Sequence, residues 1–367
     1  MSVLLELLEK YRTDLHQIPE LGFEEHETKA YIMEQVKDYD CRIHEIGATG
    51  LILYFGNGCE RTIGFRTDID ALPIKEENDI WFKSKHEGKM HACGHDGHMA
   101  MMLTFAKYLN ENKATLDKNV CLVFQPSEEN RAGAHSIEKS GILEAYNTQA
   151  IFGMHVWPGL EEGQVFSKAN ELMSQGSETD IVIHGKSAHI ASSELGIDAL
   201  EIACRYILDV YAFERSLSPE IYRLVKFGTM NSGTARNILS DTSHLYGTIR
   251  TFHNKTHHHI KHEIHRLADE YEAKYGCKFE FSYYDGYEAV INDEALFERL
   301  LPKLPIKVLD KPVMQSEDFS IYKHHMKEIF FFLGVGDVPS LHNPKFNFDM
   351  KILEKGFEFW KTLLHAY

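Results

Sequence analysis

Four short apolar runs in the first half of the chain have the length and composition of buried strands, at residues 51–55, 62–66, 120–124 and 151–156. The apolar stretch 99–109 is too long for a typical strand and predicts a buried helix. Strands that alternate with helices favour a mainly parallel sheet with helices on both faces. We therefore predict an α/β domain of this architecture.

The pattern changes near residue 174. The sequence beyond it predicts strands at 178–184, 224–229, 244–250 and 278–284, and helices at 197–213 and 255–275. Two strand–helix–strand units of this size suit a small α+β domain, a sheet with helices on one side. A helix pattern at 293–301 and a strand pattern at 329–334 then resume the first architecture. The second domain is therefore predicted to be inserted into the first.

Composition excludes several classes of protein. Lysine and arginine number 39 and aspartate and glutamate 55, which gives a formal net charge of −16. Because this field repels nucleic acid duplexes and anionic membranes, neither is an expected partner. No run of about 18 apolar residues is present, so we expect no membrane-spanning segment. The chain starts without the basic segment of a signal peptide, and we expect a cytoplasmic protein with free thiols.

The densest group of metal-ligating residue types is Met-His-Ala-Cys-Gly-His-Asp-Gly-His at residues 90–98. Thiolate and imidazole are the usual ligands of zinc and similar divalent ions. Cys93 and His95 are separated by Gly94, which permits an unusual backbone turn. The alternative is a loop whose histidines cap the next helix.

Further candidates lie in or after predicted strands. The carboxylates of Glu128 and Glu129 can divide metal binding and general-base catalysis between them, or simply begin an acidic helix. Asp68 is suited to orient a metal-bound histidine or to close a turn. His155 is either a ligand or a core histidine, and His342 either a ligand or a surface-loop histidine. Since ligands bind beyond the carboxyl ends of strands in open α/β sheets, these residues together predict a site for two divalent ions.

A second group of histidines lies on the predicted helix 255–275. His258, His262 and His265 share one face of this helix at i, i+4 and i+7. We interpret this group as a solvated helix face, with a surface metal patch as the alternative. The spacing does not match the HExxH motif, because His262 and His265 are one residue too close.

Ten short motifs occur in a specific order along nearly the whole chain. They are Leu-His-Gln-Ile-Pro-Glu-Leu-Gly at 15–22, Arg-Thr-Asp-Ile-Asp-Ala-Leu-Pro at 66–73, the motif at 90–98, Gln-Pro-Ser-Glu-Glu at 125–129, Gly-Met-His at 153–155, Gly-Lys-Ser-Ala-His at 185–189, Ala-Arg-Asn at 235–237, Gly-Thr-Ile-Arg at 247–250, Ser-Glu-Asp-Phe at 316–319 and Leu-His at 341–342. In this order and spacing the chain resembles the dinuclear metal-dependent amidohydrolases. That family includes hippurate hydrolase, plant indole-acetyl-amino-acid hydrolases and bacterial N-acetyldiaminopimelate deacetylase.

The resemblance implies two divalent metal ions per chain. The implied ligands are Cys93, His95, Glu129, His155 and His342. It also implies that the Cys93 thiolate bridges the two ions and that Glu128 is the catalytic carboxylate. The ions are expected to be manganese, zinc, cobalt or nickel, all of which tolerate such ligands.

The domain roles also follow from the resemblance. It implies a catalytic metal-binding domain of residues 1–173 and 287–367, and an inserted lid and dimerisation domain of residues 174–286. Because the lid makes a dimer in relatives, we expect a homodimer or a larger homo-oligomer. In such an assembly His189 of the lid would reach the partner's active site.

The implied reaction is hydrolysis of the amide bond of a small-molecule N-acyl amino acid. Asp68 and His189 are expected to assist Glu128. Asn237 and Arg250 are expected to hold the α-carboxylate of the substrate, because a guanidinium group suits a carboxylate. The alternative for Arg250 is a salt bridge at a strand end.

N-acetyl-L,L-diaminopimelate is the expected substrate, giving acetate and L,L-diaminopimelate for lysine biosynthesis. The length of the chain, its motif at 15–22 and its short C-terminal region look closest to the bacterial deacetylases. Hippurate and N-acetylcysteine are the alternatives. The chain departs from the family at Ser192-Ser193-Glu194, where Pro-His is common, and at Arg131, which either contacts an anionic substrate or faces solvent.

Two other classes of function stay open. One is a metal-binding protein without turnover, although such a protein needs no general base at Glu128. The other is a cysteine hydrolase with Cys93 as nucleophile and His95 as base. A chelator distinguishes these possibilities, because a thiol enzyme survives EDTA and a dinuclear metalloenzyme does not.

Overall fold

The computed structural model describes residues 2–131 and 133–367, the side chains of residues 130 and 131 excepted. The chain divides into two compact units. The first comprises the chain up to Leu172 together with Ile291–Lys311 and Asp318–Tyr367, and the second comprises Met173–Val290 and Pro312–Glu317. Within this described part, no helix has the length and apolar character needed to cross a membrane.

The helices of the described residues range from single turns to 22 residues. They are α1 (Val3–His16), α2 (His26–Val36), α3 (His95–Asn112), α4 (Glu128–Arg131), α5 (Ala134–Lys139), α6 (Ile142–Ala145), α7 (Ala199–Ser216), α8 (Asn254–Tyr275), α9 (Glu294–Leu300) and α10 (Ile352–Ala366). Short 3₁₀ helices are formed by Lys113–Thr115, Ile190–Leu195, Leu301–Lys303 and Asp318–His324.

The strands of the described residues form three sheets. They are β1 (Arg42–Ile46), β2 (Gly50–Phe55), β3 (Thr62–Asp68), β4 (Asn119–Gln125), β5 (Thr148–Trp157), β6 (Val165–Ser167), β7 (Asn170–Met173), β8 (Gln175–His184), β9 (Leu224–Ser232), β10 (Thr242–Thr251), β11 (Lys278–Asp285), β12 (Val290–Asn292), β13 (Ile306–Val308) and β14 (Lys327–Gly334). β7 and β12 pair as a small two-stranded sheet.

The first unit contains an eight-stranded sheet in the order β1-β2-β4-β3-β5-β14-β6-β13. Its centre is parallel, because β3 pairs in parallel with both β4 and β5, and β5 with β14. Every residue of β3 and β4 is buried, as expected for central parallel strands. Helices flank the sheet, and Phe105 of α3 and Trp360 of α10 both pack edge-on against Phe65 of β3. The predicted mainly parallel α/β fold is confirmed.

The register of the central strands brings their carboxyl ends to one edge. Asp68, the last residue of β3, pairs with Gln125, the last residue of β4. Arg66 of β3 pairs with Gly153 of β5, so His155 follows at the same level. Chemically active residues at these three strand ends are therefore neighbours, as the sequence pattern predicts.

The second unit is a four-stranded antiparallel sheet in the order β11-β8-β10-β9. The apolar sides of α7 and α8 share its core with alternate residues of the strands, such as Ile181 and Leu245. The two helices are joined by a hydrogen bond from the Tyr206 hydroxyl to the carbonyl of Ile264, at 2.7 Å. This is the small α+β unit that the sequence predicts, and its role as a lid stays a prediction.

A short segment that the sequence pattern joins to the first unit packs with the second. Pro312–Glu317 lies inside the predicted second part of the catalytic domain, yet it clusters with Met173–Val290. Ser174 explains this, because its N–H donates to the carbonyl of Gln315 (2.8 Å) and its hydroxyl to that of Met314 (2.6 Å). These hydrogen bonds join residues far apart in the sequence, so the hydrophobic periodicity of a local segment does not predict them.

Candidate metal centre

Gly94 gives the motif at 90–98 its shape. Its φ of +87° lies in the left-handed region, and α3 begins at the next residue, His95. A Cβ atom at Gly94 would lie 2.4 Å from Cγ2 of Val156. Only glycine therefore satisfies both the backbone conformation and the packing, and it holds Cys93 and His95 on either side of a sharp turn.

Cys93 and His155 face each other in the buried interior. Cys93 Sγ lies 3.3 Å from Nε2 of His155, and Nδ1 of His155 lies 2.6 Å from the carbonyl oxygen of Val156. Because a carbonyl can only accept, Nδ1 carries the proton and Nε2 offers a lone pair. Burial, followed by the neighbouring His98, holds the pKa of His155 well below its ordinary value. His155 is therefore neutral, the form in which histidine binds metal ions.

His95 uses Nδ1 in the same way, and its buried Nε2 faces two carboxylates. Its Nδ1 donates to the carbonyl of Asp70 at 2.9 Å. Its Nε2 lies 3.7 Å from Oδ2 of Asp68 and 3.8 Å from Oε1 of Glu129. Among the described residues, neither His95 Nε2 nor Glu129 Oε1 has a hydrogen-bond partner, although both atoms are buried. A cation between them would satisfy both atoms, so this donor set fits a divalent metal ion.

The electrostatic field at His95 also favours positive charge. Burial alone would lower the pKa of His95, but Asp68, Asp70 and Glu129 outweigh burial and raise the pKa to about 10. The same carboxylates that favour a proton there would favour a divalent ion. Buried carboxylates need such a partner, because an unpaired buried charge is costly.

A tight turn presents the two glutamates at the start of α4. Ser127, directly before them, has a φ of +51°, and its N–H donates to Oε1 of Glu25 at 2.8 Å. The N–H of Glu129 donates to Oδ2 of Asp70 at 3.0 Å. Gly133 closes the turn, since a Cβ there would lie 1.6 Å from the carbonyl oxygen of Pro126. The backbone that carries both glutamates is thus held by hydrogen bonds to the buried carboxylates of Glu25 and Asp70.

His342 comes from a different part of the chain. Its N–H donates to the carbonyl of Ala92 at 2.9 Å, which ties it to the motif around Cys93. Its Nε2 lies 3.3 Å from Oε2 of Glu129, and this hydrogen bond raises the pKa of His342. Its side chain is 52% exposed, in contrast to the other candidate ligands. His342 therefore forms the solvent side of the centre.

Candidate ligand atoms lie within 4.8 Å of one another in overlapping groups: Cys93, Glu129 and His342; His95, Glu128 and Glu129; and Asp68, His95, His98 and His155. The first unit therefore brings together all five predicted ligands, the predicted base and Asp68. Their roles remain predictions. The exposed histidines of α8 belong to no such group among the described residues, and the ring of His265 packs on Phe281 with centroids 4.0 Å apart.

A buried network behind the centre escaped the sequence analysis. The guanidinium of Arg66 donates to Oδ2 of Asp68 (2.8 Å), Oδ1 of Asp318 (2.9 Å) and Oε1 of Gln125 (2.9 Å). Gln125 in turn donates to both carboxylate oxygens of Asp318 at 2.8 Å. These residues lie in quoted motifs, so their positions were visible, but their pairing depends on the strand register.

A second buried network supports the first turn of α3. His16 Nδ1 lies 2.8 Å from Oδ2 of Asp96, and His16 Nε2 lies 3.1 Å from Oε1 of Glu76. Arg12 also donates to Asp96, at 3.1 Å. Burial would lower the pKa of His16, but Asp96 and Glu76 raise it to about 9. His16 is therefore a buried cation that explains the histidine of the motif at 15–22.

In the second unit, the structure brings His189 and Asn237 together. The carbonyl of Asn237 accepts from the N–H of Ile190 at 3.1 Å, and His189 pairs with Ile238 in an antiparallel bridge. His189 is exposed, and its Nδ1 accepts from the N–H of Ala191 at 3.1 Å. Its proton therefore sits on the other ring nitrogen, Nε2, as a hydrogen-bond donor.

Arg250 is not close to this pair within the chain. It lies at the opposite end of β10, where it pairs with Gly176, whereas Thr242 at the near end pairs with His184. Thr242 and Arg250 are eight residue steps apart along the strand, about 26 Å at 3.3 Å per residue. The guanidinium of Arg250 donates to Glu178 Oε1 (3.1 Å) and Ser316 Oγ (2.8 Å). The side chains of Asn237 and Arg250 in one chain thus cannot bind the same carboxylate in this conformation.

Two further predictions have different outcomes. All six cysteines are free of disulfide bonds, as expected. The side chain of Arg131, for which a substrate contact is predicted, lies outside the described residues.

The chain is similar in sequence and fold to known proteins. The sequence profile of "Peptidase family M20/M25/M40" matches residues 64–366. An uncharacterised hydrolase of Staphylococcus haemolyticus is 34% identical over 377 residues, covering 99% of this chain and 98% of the relative. An uncharacterised hydrolase of Staphylococcus aureus USA300 is also 34% identical, over 383 residues, with the same coverage. The crystal structure of the Bacillus subtilis YXEP protein, a dinuclear metal-binding peptidase of the M20 family, is similar with a TM-score of 0.85 at 30% identity, covering 98% of this chain and 97% of that one.

Proposed function

This chain belongs to peptidase family M20/M25/M40, and we propose that it uses two divalent ions to hydrolyse the amide bond of an N-acyl amino acid. The observation that carries the proposal is the pair of buried atoms without hydrogen-bond partners, His95 Nε2 and Glu129 Oε1, which lie 3.8 Å apart. Within the described part of the chain, both atoms have the chemistry and position of metal ligands.

The proposed ligands are drawn from four separate segments, namely Cys93, His95, Glu129, His155 and His342. The two buried histidines direct Nε2 into the centre while Nδ1 donates to a backbone carbonyl. Such bonds orient metal-binding imidazoles and set their tautomer. Manganese, zinc, cobalt and nickel all suit this mixture of sulfur, nitrogen and oxygen ligands.

Glu128 is the proposed general base. When bound, the two ions would supply Lewis-acid polarisation of the amide carbonyl and a water of lowered pKa. Glu128 would take the proton of that water and deliver it to the leaving amine. Its carboxylate lies in the same group as His95 and Glu129 and is 8% exposed, so it sits beside the ligands with little competing solvent. His189, with its Nε2–H donor, would stabilise the oxyanion.

A cysteine hydrolase fits the centre less well. Burial, Glu129 and Glu128 raise the pKa of the Cys93 thiol well above its ordinary value. Reactive cysteines instead have positively charged surroundings that lower the pKa. The imidazole hydrogen-bonded to Cys93 Sγ is that of His155, not the predicted base His95. A thiolate at this place therefore requires a metal ion.

For the substrate, we propose N-acetyl-L,L-diaminopimelate, with hippurate and N-acetylcysteine as alternatives. The support is the resemblance of the motifs and the chain length to the bacterial deacetylases. Asn237 is proposed to bind the substrate carboxylate. Arg250 would share that role by releasing Glu178, whose side chain is 58% exposed and therefore easily displaced.

We also propose a homodimer built through the second unit. β9 is an edge strand of its sheet, with one edge unpaired among the described residues. Exposed edges are ready templates for pairing with another chain. Large exposed hydrophobic side chains are concentrated in this unit: Ile190, Leu195, Leu200, Leu208, Tyr222, Met230, Ile238, Tyr246 and Tyr284. A dimer would supply Asn237 and Arg250 to one carboxylate from different copies, which the single chain does not allow.

The proposal is tested by primary-amine release from N-acetyl-L,L-diaminopimelate, with metal-loaded wild type and Glu128→Gln compared at equal metal content. We expect turnover by wild type, abolished by EDTA and restored by metal. Glu128→Gln should keep both ions and lose about 10²–10⁴-fold in kcat. A metal-binding protein without turnover would release no amine from any of the three N-acyl substrates. Near-normal activity in Glu128→Gln would reject the assigned base.

A further inference from the structure

His98 lies one turn into α3, and its imidazole is buried between the ends of two strands. Its Nδ1 lies 2.7 Å from Oδ1 of Asp68, at the end of β3. Its Nε2 lies 2.9 Å from the backbone nitrogen of Val156, in β5. Because a backbone N–H can only donate, Nε2 accepts and the proton sits on Nδ1. The ring is therefore neutral and donates to Asp68.

His98 therefore has no lone pair left for a metal ion. Its ligand atom nevertheless lies within 4.8 Å of those of Asp68, His95 and His155. The other two histidines differ in one respect, because each keeps Nε2 directed into the centre and uses only Nδ1 on the backbone. By distance alone the four residues would form one metal site, whereas the hydrogen bonds of His98 distinguish it from His95 and His155.

We propose that His98 is a positioning residue, which orients the Asp68 carboxylate and the peptide after His155 without binding metal itself. The inference rests on the metal centre proposed above and adds to it a residue that directs two of its neighbours. It excludes His98 as a ligand.

The consequence for Asp68 follows from its contacts. Its Oδ2 accepts from Arg66 at 2.8 Å and faces His95 Nε2 at 3.7 Å. With Oδ1 held by His98, the carboxylate cannot rotate, and its charge stays directed at the ligand His95. The second bond of His98 holds the N–H of Val156, while the carbonyl of Val156 orients His155. One ring therefore fixes the surroundings of ligands on two strands.

Asparagine and glutamine separate the two bonds of His98. The amide nitrogen of asparagine takes about the place of Nδ1, and the amide oxygen of glutamine about that of Nε2. His98→Asn therefore keeps the bond to Asp68, His98→Gln keeps the bond to Val156, and His98→Ala keeps neither. Zn²⁺ is titrated into each metal-stripped full-length protein against a chromophoric chelator, without substrate. Thr104→Val is the matched control, because it removes a buried hydroxyl bonded to the carbonyl of Ala100 on the same helix.

We expect every variant to bind two zinc ions at saturation. The weaker dissociation constant should rise about 10–100-fold in His98→Ala and His98→Gln, and distinctly less in His98→Asn, with wild-type values in Thr104→Val. Loss of one ion at saturation in all three His98 variants would make His98 a ligand and overturn the inference. Unchanged dissociation constants would overturn it as well, because His98 would then serve packing alone. If the expected order is found in a protein that hydrolyses no N-acyl amino acid, the inference is supported and the proposed reaction is rejected.

Discussion

Gly94 is the position at which one added methyl group should disturb the metal centre most directly. Its φ of +87° costs an alanine about 1–2 kcal/mol, because a Cβ atom crowds the carbonyl in the left-handed region. The same Cβ would lie 2.4 Å from Val156 Cγ2, in a fully buried part of the core. Overpacking of this kind costs about 1–3 kcal/mol. Gly94→Ala should therefore lower the free energy of unfolding by about 2–5 kcal/mol.

Gly88→Ala separates the two contributions. Gly88 has a similar φ, +77°, but no atom lies within 4 Å of a Cβ placed there. It should lose only the backbone part, about 1–2 kcal/mol. Urea unfolding of the metal-stripped proteins measures both losses, and a zinc titration should show weaker binding in Gly94→Ala alone, because Cys93 and His95 flank that residue.

Equal losses of unfolding free energy in the two variants would refute the packing part of this reasoning. Val156 would then move aside without cost, and the turn at Gly94 would be held by its backbone conformation only. Full stability of Gly94→Ala would also refute the backbone part.

Three more predictions concern the Cys93 thiol and the buried charged residues Arg66 and His16. Cys93→Ser should raise the zinc dissociation constant of the metal-stripped protein by at least tenfold, and unchanged zinc content after dialysis would argue against a bridging thiolate. Arg66→Met should cost about 3–5 kcal/mol in urea unfolding, because it leaves buried carboxylates without their cation; adding Asp318→Asn should recover part of that loss, and no recovery would contradict the pairing. The pKa of His16 is raised to about 9, so its stabilisation should be complete below the unfolded pKa of about 6.5 and be lost as pH rises toward 9, on the order of 3 kcal/mol. A wild type that loses no more stability than His16→Gln between pH 6 and pH 9 would disprove this.

The candidate centre could be predicted from the sequence because its ligands follow a simple topological rule. Parallel strands end at one edge, so residues at the ends of β3, β4 and β5 are neighbours before any coordinates are known. Asp68, Glu128 and His155 therefore come together in the structure as expected, whereas Cys93 reaches them through the turn before α3. The position of His342 was harder to predict, since its contact with Glu129 depends on a loop and on one hydrogen bond to Ala92.

Other features needed atoms from distant segments. The sequence places Asn237 and Arg250 in one unit, but only the register of β10 shows that they lie at opposite ends of its sheet. The second partner of Arg66, Asp318, is 252 residues away in the chain. No local hydrophobic periodicity predicts such a pairing, because the two residues meet only when distant elements of the fold pack together.

By itself, the sequence determined the alternation of strands and helices, the mainly parallel α/β architecture and the residue types of the centre. Those properties are local or periodic in the sequence, so they do not depend on the details of side-chain packing. Only the tertiary structure decided which nitrogen of each histidine is available. The sequence does not distinguish His95, His98 and His155. In His95 and His155, Nδ1 bonds to a backbone carbonyl and Nε2 stays available. In His98, Nε2 accepts from a backbone N–H. A hydrogen-bond partner that can only accept or only donate sets the tautomer, and that partner is supplied by the fold.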